Sequence, residues 1–487
     1  MNTPIYDFVQ QYAASNTTRF HMPGHKGQPL LGCEPWDITE IKGADALYEA
    51  DGIIAESEAN ATALFGSQRT LYSTEGSSQC IRAMLYLAMM YDRERVRNAA
   101  MTAGATNSDT SVSIEKKRPT IVAARNVHKA FVYAAALLDL DVVWLWPEET
   151  DSLCGCPISA KQLEDTLSQL ETPPAAVYLT SPDYLGGMAD IPTLAEICHR
   201  HDTLLLIDNA HGAYLRFLQP SQHPLDQGAD MCCDSAHKTL PVLTGGAYLH
   251  IAKDISQRMA HPDDAALSKL ADQGKMALAL FGSTSPSYLI LASLDRCNGL
   301  LADEYPAQLA EMIAHLDTFK DTLKDTFWNV VPSDPLRLTL RALPGTTGIS
   351  LAQHLRDHQI ECEYADENFL VLMLTPANTE KELEALWEAL GKIPFPAADI
   401  TADYNARSAK NPILPQARGR QILPIREAMF APHELASIEN ALGRICGAPT
   451  VSCPPAIPIV VSGEEIGEEA IQLFRHYGVS QVDVLKK

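Results

Sequence analysis

The stretch Leu204-Leu205-Leu206-Ile207-Asp208-Asn209-Ala210-His211-Gly212 decides the fold of this chain. Its first four residues form an apolar run, and the run ends in a carboxylate followed by other polar residues. A short run that is apolar throughout is typical of a strand buried on both faces of a parallel sheet. Such sheets bind their ligands beyond the carboxyl ends of the strands. The stretch therefore predicts that Asp208 faces a ligand.

Similar apolar runs lie on both sides of this stretch. They are Thr70-Leu71-Tyr72, Thr120-Ile121-Val122-Ala123, Val142-Val143-Trp144-Leu145, Ala176-Val177-Tyr178-Leu179 and Ala247-Tyr248-Leu249-His250. Helical patterns such as Gln79 to Tyr91 and Leu194 to His201 fit between them. This alternation predicts an α/β fold in which helices cover both faces of an open, mainly parallel sheet.

The remaining regions have other patterns. The stretch from Asn98 to Lys117 is small, polar and aperiodic, which predicts a mobile surface loop. After about residue 300, helical patterns (Tyr305 to Leu323 and Thr379 to Leu390) lie beside the strand-like run 369–374, which predicts a smaller α+β domain. The Pro-rich segment 453–458 precedes a last helical pattern over 467–477.

Composition restricts the ligands and the compartment. The 487 residues are 46% hydrophobic and 20% charged, which is globular composition, and 38 basic against 61 acidic residues give a net charge of −23. Bulk attraction to nucleic acid or to anionic lipid is therefore not expected, and the ligands are predicted to be small. The chain has no signal-peptide pattern, no membrane span and no CxxC pair among its 11 cysteines, so we expect a cytoplasmic protein.

A second polar segment, Asp234-Ser235-Ala236-His237-Lys238-Thr239, also follows a short apolar stretch. An aldehyde cofactor needs a lysine for a Schiff base and an acid that keeps its ring nitrogen protonated. Lys238 and Asp208 can supply these two groups. Alone, each residue is as well explained as a turn or cap former, but together and in this order they indicate a cofactor site.

Two more segments complete that hypothesis. Thr74-Glu75-Gly76-Ser77-Ser78-Gln79 lies between a strand and a helix, where backbone N–H groups and hydroxyls can bind a phosphate. Asn126-Val127-His128-Lys129 follows the strand at 120–123 and can place an imidazole against a cofactor ring. The structural alternative is that Gly-Ser-Ser only caps the next helix.

Other histidines do not require a functional interpretation. His21 and His25 are separated by Pro23-Gly24, which breaks the helix on which a metal-binding spacing usually works, so we predict no metal site. His199 and His201 lie at the end of a predicted helix, where a cation interacts favourably with the helix dipole, so a structural role suffices.

These residues resemble a known family, the fold-type-I, pyridoxal-phosphate-dependent ornithine/lysine/arginine decarboxylases. The similar segments run over nearly the whole chain: Phe20-His21-Met22-Pro23-Gly24-His25-Lys26, Asp37-Ile38-Thr39-Glu40-Ile41, Phe65-Gly66, Gly76-Ser77-Ser78, Arg125-Asn126-Val127-His128-Lys129, Thr180-Ser181-Pro182-Asp183-Tyr184-Leu185-Gly186, Ala210-His211-Gly212, Ser235-Ala236-His237-Lys238, Ser283-Thr284-Ser285-Pro286-Ser287-Tyr288, Arg426-Glu427-Ala428, Gly443-Arg444-Ile445 and Pro454-Pro455-Ala456-Ile457-Pro458.

The resemblance implies a seven-stranded, mainly parallel sheet and four parts: an N-terminal arm (1–50), a pyridoxal-phosphate-binding large domain (51–300), a small α+β domain (301–395) and a C-terminal decarboxylase-type domain (396–487). The motif at residue 20 leaves no room for the receiver-like N-terminal domain of longer members, so we expect the short form. The expected assembly is a homodimer or larger, with the active site at the subunit interface.

The resemblance also implies the site residues. Lys238 would hold the cofactor as an internal aldimine, Asp208 would pair with the pyridine nitrogen, His128 would stack on the ring and His211 would lie beside it. The phosphate would be surrounded by Gly76, Ser77, Ser78, Ser235 and His237, with Thr284 and Ser285 reaching the phosphate of the neighbouring subunit's cofactor. The expected reaction is decarboxylation of arginine, lysine or ornithine to the amine and CO2, as in polyamine biosynthesis.

Some segments depart from the family pattern. Thr244-Gly245-Gly246-Ala247 replaces a polar Thr-Gln-Ser-Ser, Asn209 replaces a glutamate, and Cys453 and Ser462 alter the C-terminal motifs, so the specificity is open. A basic substrate's distal cation needs a carboxylate, for which Glu464 is the candidate and Glu465 and Asp366 are alternates. The alternative for Glu464 is that it caps the last helix.

Two other hypotheses remain. The same fold supports aminotransfer and elimination, which product analysis would distinguish from decarboxylation. A catalytically silent paralogue acting as a binding or regulatory subunit is favoured by Gly245-Gly246, but the intact set of Lys238, Asp208, Ser235 and His237 opposes it. The sequence does not distinguish arginine, lysine and ornithine.

Overall fold

The structure is a computed structural model that describes residues 1–102, 118–343, 345–393, 413–452 and 456–486, with only the backbone described at 450–452. The departure at Cys453 therefore lies outside the described residues. Among the described helices, none combines the length and the apolar character that a membrane crossing requires.

A seven-stranded sheet forms the centre of the molecule. Its strands in chain order are β1 (Arg69–Ser73), β2 (Thr120–Ala124), β3 (Asp141–Leu145), β4 (Ala176–Thr180), β5 (Leu204–Asp208), β6 (Met231–Asp234) and β7 (Ala247–Ile251). Their spatial order is β1-β7-β6-β5-β4-β2-β3. The neighbours from β3 to β6 are parallel, and β7 is antiparallel to β6 and β1. The predicted mainly parallel sheet is confirmed, and β6 adds a strand to the six predicted runs.

Ten helices accompany this sheet in the described ranges. They are α1 (Pro4–Ala14), α2 (Ile53–Phe65), α3 (Ser77–Thr102), α4 (Lys129–Leu138), α5 (Ala160–Gln169), α6 (Ile191–Arg200), α7 (Ala236–Thr239), α8 (Asp264–Leu267), α9 (Lys269–Ala279) and α10 (Tyr288–Leu301). Side-chain caps set several of their starts: Ser159 accepts from Gln162 N at 3.2 Å, and Asp190 accepts from Thr193 N at 3.4 Å.

A smaller antiparallel sheet follows in the chain, as the sequence predicts. Its region contains α11 (Tyr305–Lys324), β8 (Val330–Val331), β9 (Arg337–Arg341), α12 (Gly348–Asp357), β10 (Tyr364–Ala365), β11 (Phe369–Met373) and α13 (Glu380–Gly391). The strand order is β10-β11-β9-β8. A capping box of Thr379 and Glu382 starts α13, which matches the predicted helical pattern.

The C-terminal region contains α14 (Ile425–Phe430), β12 (His433–Ser437), β13 (Thr450–Ser452), β14 (Ile457–Val460), α15 (Glu468–His476) and β15 (Gln481–Leu485). Two antiparallel pairs, β12 with β15 and β13 with β14, surround a core of their own around Phe474 and Cys446.

Two apolar cores pack against the large sheet. One joins its strands to the helices that cover them, with Leu85, Phe131 and Leu205 at its centre. The other core includes Ile5 on α1, Tyr72 and Tyr248 of the large sheet, and Leu370 on β11. The first helix and the small sheet therefore share a core with the large sheet, and the four-part division at residues 50, 300 and 395 stays a prediction.

The predicted loop from Asn98 to Lys117 is wrong at its beginning. Residues 98–102 continue α3, where Thr102 Oγ1 donates to Asn98 O at 2.9 Å. Ala99, Ala100 and Met101 are good helix formers, so the helix extends beyond Tyr91, where the predicted helical pattern ends, into the first residues of the predicted loop. Residues 103–117 lie outside the described ranges.

Candidate active site

The carboxyl ends of β4, β5 and β6 meet at one cavity of about 330 Å³. Parallel pairing places Thr180 beside Asp208 and Asp208 beside Cys233, so the residues that follow these strands converge. Nine residues predicted from the sequence line the cavity: Gly76, Ser77, Ser78, His128, Asp208, His211, Ser235, His237 and Lys238. The structure therefore brings together residues that are spread over more than 160 positions of the chain.

Asp208 is the buried carboxylate of the cavity. Its Oδ2 accepts from the Tyr178 hydroxyl at 3.0 Å, and its Oδ1 accepts from Ala210 N at 3.3 Å. Burial raises the pKa of Asp208, and the Lys238 cation and the Tyr178 hydroxyl oppose that rise without cancelling it. A carboxyl in this state gains from a cationic partner in the cavity, because such a partner offsets the cost of burying its charge.

Lys238 lies on α7, directly after β6. Its Nζ donates to His211 Nε2 at 2.7 Å. Burial lowers the pKa of Lys238, and Asp208 opposes the shift. Burial, with the Lys238 charge, also holds the pKa of His211 well below its ordinary value, so His211 is a neutral acceptor for the lysine. Burial and a neutral neighbour together favour the nucleophilic, uncharged amine.

One end of the cavity, at the turn Gly76–Ser78, has groups that can bind an anion. Gly76, at φ +72°, precedes the first turn of α3, and a Cβ added there would meet no atom within 4 Å. Ser235 Oγ donates to Ser77 Oγ at 2.7 Å, which joins this turn to the segment before Lys238. N–H groups at a helix start, hydroxyls and an open approach are what a phosphate requires.

The Gly245 departure has a packing reason. Gly76 N donates to Gly245 O at 2.8 Å, and a Cβ at Gly245 would lie 2.8 Å from Thr74 O. Gly246 O accepts from both His237 N at 3.2 Å and His237 Nδ1 at 3.0 Å. The two glycines thus hold the anion-binding turn and the lysine segment close together.

His128 is oriented by its own helix. Its Nδ1 accepts from Ala130 N at 3.2 Å, so it caps α4 while its ring lines the cavity. Burial and then the positive charge of Lys238 lower the pKa of His128 to about 4. The ring is therefore neutral near pH 7 and suited to stack on a flat ligand.

Several lining residues are not in the predicted site set. They are Asn126, Cys154, Thr180, Pro182, Tyr184, Ala210, Ala456 and Ile457. Thr180 ends β4 just as Asp208 ends β5, a signal that was available in the sequence. Asn126 Oδ1 and Thr180 Oγ1 are buried without a hydrogen-bond partner. Such orphaned atoms in a cavity wall fit a polar ligand.

These observations test whether pyridoxal phosphate suits the cavity. The turn Gly76–Ser78 suits its phosphate, and the neutral imidazole of His128 suits its ring. The buried carboxylate of Asp208 suits the ring nitrogen, and the buried Lys238 suits the aldehyde. The orphaned atoms of Asn126 and Thr180 add polar partners for the ring substituents. The residues present fit the cofactor.

The substrate role predicted for Glu464 does not match the structure. Glu464 is 1% exposed, is not among the cavity residues, and its Oε2 accepts from Arg125 Nη2 at 2.9 Å and Val461 N at 2.8 Å. The Arg125 guanidinium lies between Trp144 and Trp146, 4.9 Å from each ring centre. Nor does Glu464 cap the last helix, since the N-cap of α15 is Gly467. Arg125 lies 339 positions before Glu464 in the chain, so the sequence around Glu464 does not predict this ion pair.

The two alternates are also occupied. Asp366 accepts from the Tyr364 hydroxyl at 2.8 Å and from Phe369 N at 2.7 Å, and it is buried. Glu465 lies 3.5 Å from the exposed guanidinium of Arg420. Neither residue lines the cavity.

The remaining predicted residues lie elsewhere. Thr284 and Ser285 are exposed and do not line this cavity, so their role toward a neighbouring subunit stays a prediction. His21 Nε2 lies 2.6 Å from the Tyr12 hydroxyl, and His25 Nε2 lies 3.2 Å from Asp37. His199 and His201 have the carboxylate partners Asp230 and Glu164.

The sheet order and the lysine facing a buried aspartate define the class, that of fold-type-I enzymes. A crystal structure of the Francisella novicida lysine decarboxylase LdcF has the same fold, with a TM-score of 0.75 and 16% identity over 99% of this chain and 81% of that chain. At this identity the likeness concerns the fold alone.

Sequence comparison then gives the family. The model described as Orn/Lys/Arg decarboxylase, major domain, matches residues 86–342. An uncharacterised protein YaaO of Bacillus subtilis (strain 168) is 30% identical over 97% of this chain and 93% of its own length. An arginine decarboxylase of Halalkalibacterium halodurans is 27% identical over 97% of this chain and 93% of its own length. The chain belongs to the Orn/Lys/Arg decarboxylase family, which confirms the predictions of family and of a decarboxylase enzyme.

Proposed function

We propose that this protein decarboxylates a basic amino acid, with pyridoxal phosphate bound at Lys238. The observation that carries the proposal is a buried lysine and a buried carboxylate that share one cavity with an anion-binding turn. When bound, the cofactor supplies an aldehyde for an amine and a ring that accepts the electron pair left by departing carbon dioxide.

The residues of this chain then have separate tasks. Asp208 holds a proton at the ring nitrogen, and its burial strengthens that pairing because little water competes. His128 covers one face of the ring. Lys238 Nζ, 2.7 Å from His211 Nε2, is placed to deliver the proton that replaces the lost carboxylate. Gly76, Ser77, Ser78 and Ser235 hold the phosphate end, with His237 beside them.

A carboxylate bonded to one of the cavity residues supports a cationic substrate. Glu363 is exposed, and its Oε1 accepts from the hydroxyl of Tyr184, a cavity residue, at 2.7 Å. Burial lowers the pKa of Lys238, and the carboxylates that oppose this shift are Asp208 and then Glu363. Through Tyr184, Glu363 is one hydrogen bond away from the residues that line the cavity. We assign it, in place of Glu464, to the distal cation.

Among the basic amino acids we place arginine first, because the full-length relatives with an assigned activity are named arginine decarboxylases. Lysine and ornithine remain the alternatives. For the assembly we propose a homodimer in which Thr284 and Ser285 approach the neighbouring subunit's phosphate. Support comes from their exposure, which leaves both hydroxyl side chains accessible to a second chain.

The experiment is incubation of the purified protein with pyridoxal phosphate and a mixture of the common amino acids, followed by identification of what is consumed and formed. We expect consumption of one basic amino acid and equal amounts of its amine and carbon dioxide. A keto acid would show aminotransfer, and a released side chain would show elimination. If no amino acid is consumed although the cofactor is bound, the proposal is wrong.

A further inference from the structure

Four metal-ligating side chains meet on the face of the large sheet that lies opposite to the cavity. Cys232 and Asp234 are two positions apart on β6, and His250 on β7 is the register partner of Cys232. His223 reaches the same point from the loop before β6. The four ligand atoms lie within 4.8 Å of one another. Cys233, between the two β6 ligands, points the other way and contacts Asp208 at 3.7 Å.

The cluster is closed to solvent. All four residues are 0% exposed, and the ring of Phe65 lies 4.5 Å from that of His250 and 5.6 Å from that of His223. Asp234 Oδ2 is 3.1 Å from both His223 Nε2 and His250 Nε2. Two imidazole nitrogens thus converge on one carboxylate oxygen beside the ring of Phe65.

Second contacts orient two of these ligands. His250 Nδ1 lies 2.8 Å from Thr70 Oγ1, and Asn209 Nδ2 donates to Asp234 Oδ1 at 2.7 Å. Metal-binding imidazoles and carboxylates characteristically have such outer partners, which fix the ring orientation and the free oxygen. The Cys232 thiol has no hydrogen-bond partner among the described residues, so hydrogen bonding alone does not explain its place beside three polar groups.

We propose that His223, Cys232, Asp234 and His250 bind one structural zinc ion. Two nitrogens, one sulfur and one oxygen suit tetrahedral zinc, whose ligand atoms lie about 3.3–3.7 Å apart. Binding releases the thiol proton to solvent, and each imidazole binds through an unprotonated ring nitrogen while its one proton resides on the other nitrogen. The thiolate and the carboxylate then balance the two charges of the ion, so the site carries no net charge into the core.

A second buried pair shows what a simple hydrogen-bonded arrangement looks like. His199 Nε2 lies 3.1 and 3.0 Å from the two oxygens of Asp230, and Asp230 Oδ2 also accepts from Leu205 N at 2.7 Å. Among the described residues no further metal-ligating side chain joins this pair. The cluster at His223 differs in its second imidazole and its thiol, the ligands that a hydrogen-bonded pair does not need.

The test is the metal content of the full-length protein, purified without chelators and measured by mass spectrometry. We expect about one zinc per chain. Protein from cobalt-supplemented cells should show a thiolate-to-cobalt charge-transfer band in the near ultraviolet. Cys232→Ser should lose the band and most of the metal, while Cys198→Ser, which changes a buried thiol on α6, should keep both.

Less than about a tenth of an ion per chain, with no cobalt band, would overturn the proposal. So would a band that persists in Cys232→Ser. If Cys232→Ser does not fold, the metal content and the cobalt spectrum of the unaltered protein still decide.

Discussion

Asp208 and Asp234 end adjacent parallel strands, and both are fully buried, yet their surroundings are opposite. Burial raises the pKa of Asp208, and its partners oppose the shift only in part. Burial also acts on Asp234, but His223 and His250 outweigh it and hold the pKa of Asp234 well below its ordinary value. The first carboxylate faces a cavity and lacks a full partner; the second is enclosed by its partners. The same residue at the same kind of strand end thus lines a cavity in one case and is enclosed by its partners in the other.

The largest effect is expected at Lys238, on which turnover in the cavity should depend. Lys238→Ala is expected to abolish turnover, by at least about 10⁴-fold in kcat, because no other amine of the described chain lines the cavity. The visible absorption of the bound cofactor should change with it, measured by spectroscopy and by product formation. Lys253→Ala, which changes an exposed lysine after β7, is the matched control. An active variant with unchanged absorption would remove Lys238 from the site.

Exchanging each aspartate for asparagine tests the comparison directly. Asp208→Asn should lower kcat by about 10²–10³-fold, because the ring nitrogen loses its charged partner, and should leave the thermal unfolding midpoint nearly unchanged. Asp234→Asn should lower the free energy of unfolding by about 3–5 kcal/mol, because buried partners are left unpaired. Its kcat, measured at low temperature on folded protein, should fall less than tenfold. The reverse pattern would mean that the two roles are assigned to the wrong residues.

The buried His128 ring should make the stability of the folded protein depend on pH. The pKa of His128 is lowered to about 4 in the folded protein, so between pH 6.5 and 4 the unfolded chain binds a proton that the folded chain does not. The contribution of His128 to the free energy of unfolding is therefore fully present above pH 6.5. It is lost as the pH falls towards 4, by up to about 3 kcal/mol. In cofactor-free His128→Asn, which keeps a helix-capping side chain, denaturant unfolding should depend less on pH over this range. Equal pH dependence in both proteins would contradict this prediction.

The smallest effect is expected at Glu363, which accepts a hydrogen bond from the cavity residue Tyr184. Glu363→Gln should raise KM for the basic substrate by about two- to fivefold with little change in kcat, because a single solvent-exposed ion pair is lost. Glu361→Gln is the matched control, since Glu361 lies two residues earlier and pairs with Arg356 at 2.9 Å. Equal KM values for the two variants would show that Glu363 does not bind the distal cation of the substrate.

Much of the cavity could be predicted from sequence because its signal is local. An apolar run followed at once by a polar residue shows where a strand ends, and parallel strands end at one edge. This signal predicts Asp208 and Lys238, whereas Ser235 is implied only by the resemblance to the family. Thr180 carries the same signal in a weaker form, because threonine is common within strands and does not stand out as a ligand.

The parts that sequence reasoning missed depend on distant partners. Nothing near Glu464 indicates that Arg125 will take its charge, and nothing near Asp234 indicates two imidazoles from other segments. β6 itself has only four residues, Met231–Asp234, which is too short for a clear pattern. Which carboxylate is free for a substrate is a property of packing, and a sequence motif alone does not give it.

The ion pair of Arg125 and Glu464 joins residues 339 positions apart and so has a consequence for synthesis of the chain. Arg125 and β2 leave the ribosome long before Glu464, and the cavity residues Ala456 and Ile457 arrive just ahead of that glutamate. Until then the growing chain has a guanidinium that its core cannot bury favourably and a cavity that lacks one wall. The cavity therefore reaches its final shape only after the C-terminal region has been synthesised and has packed against β2.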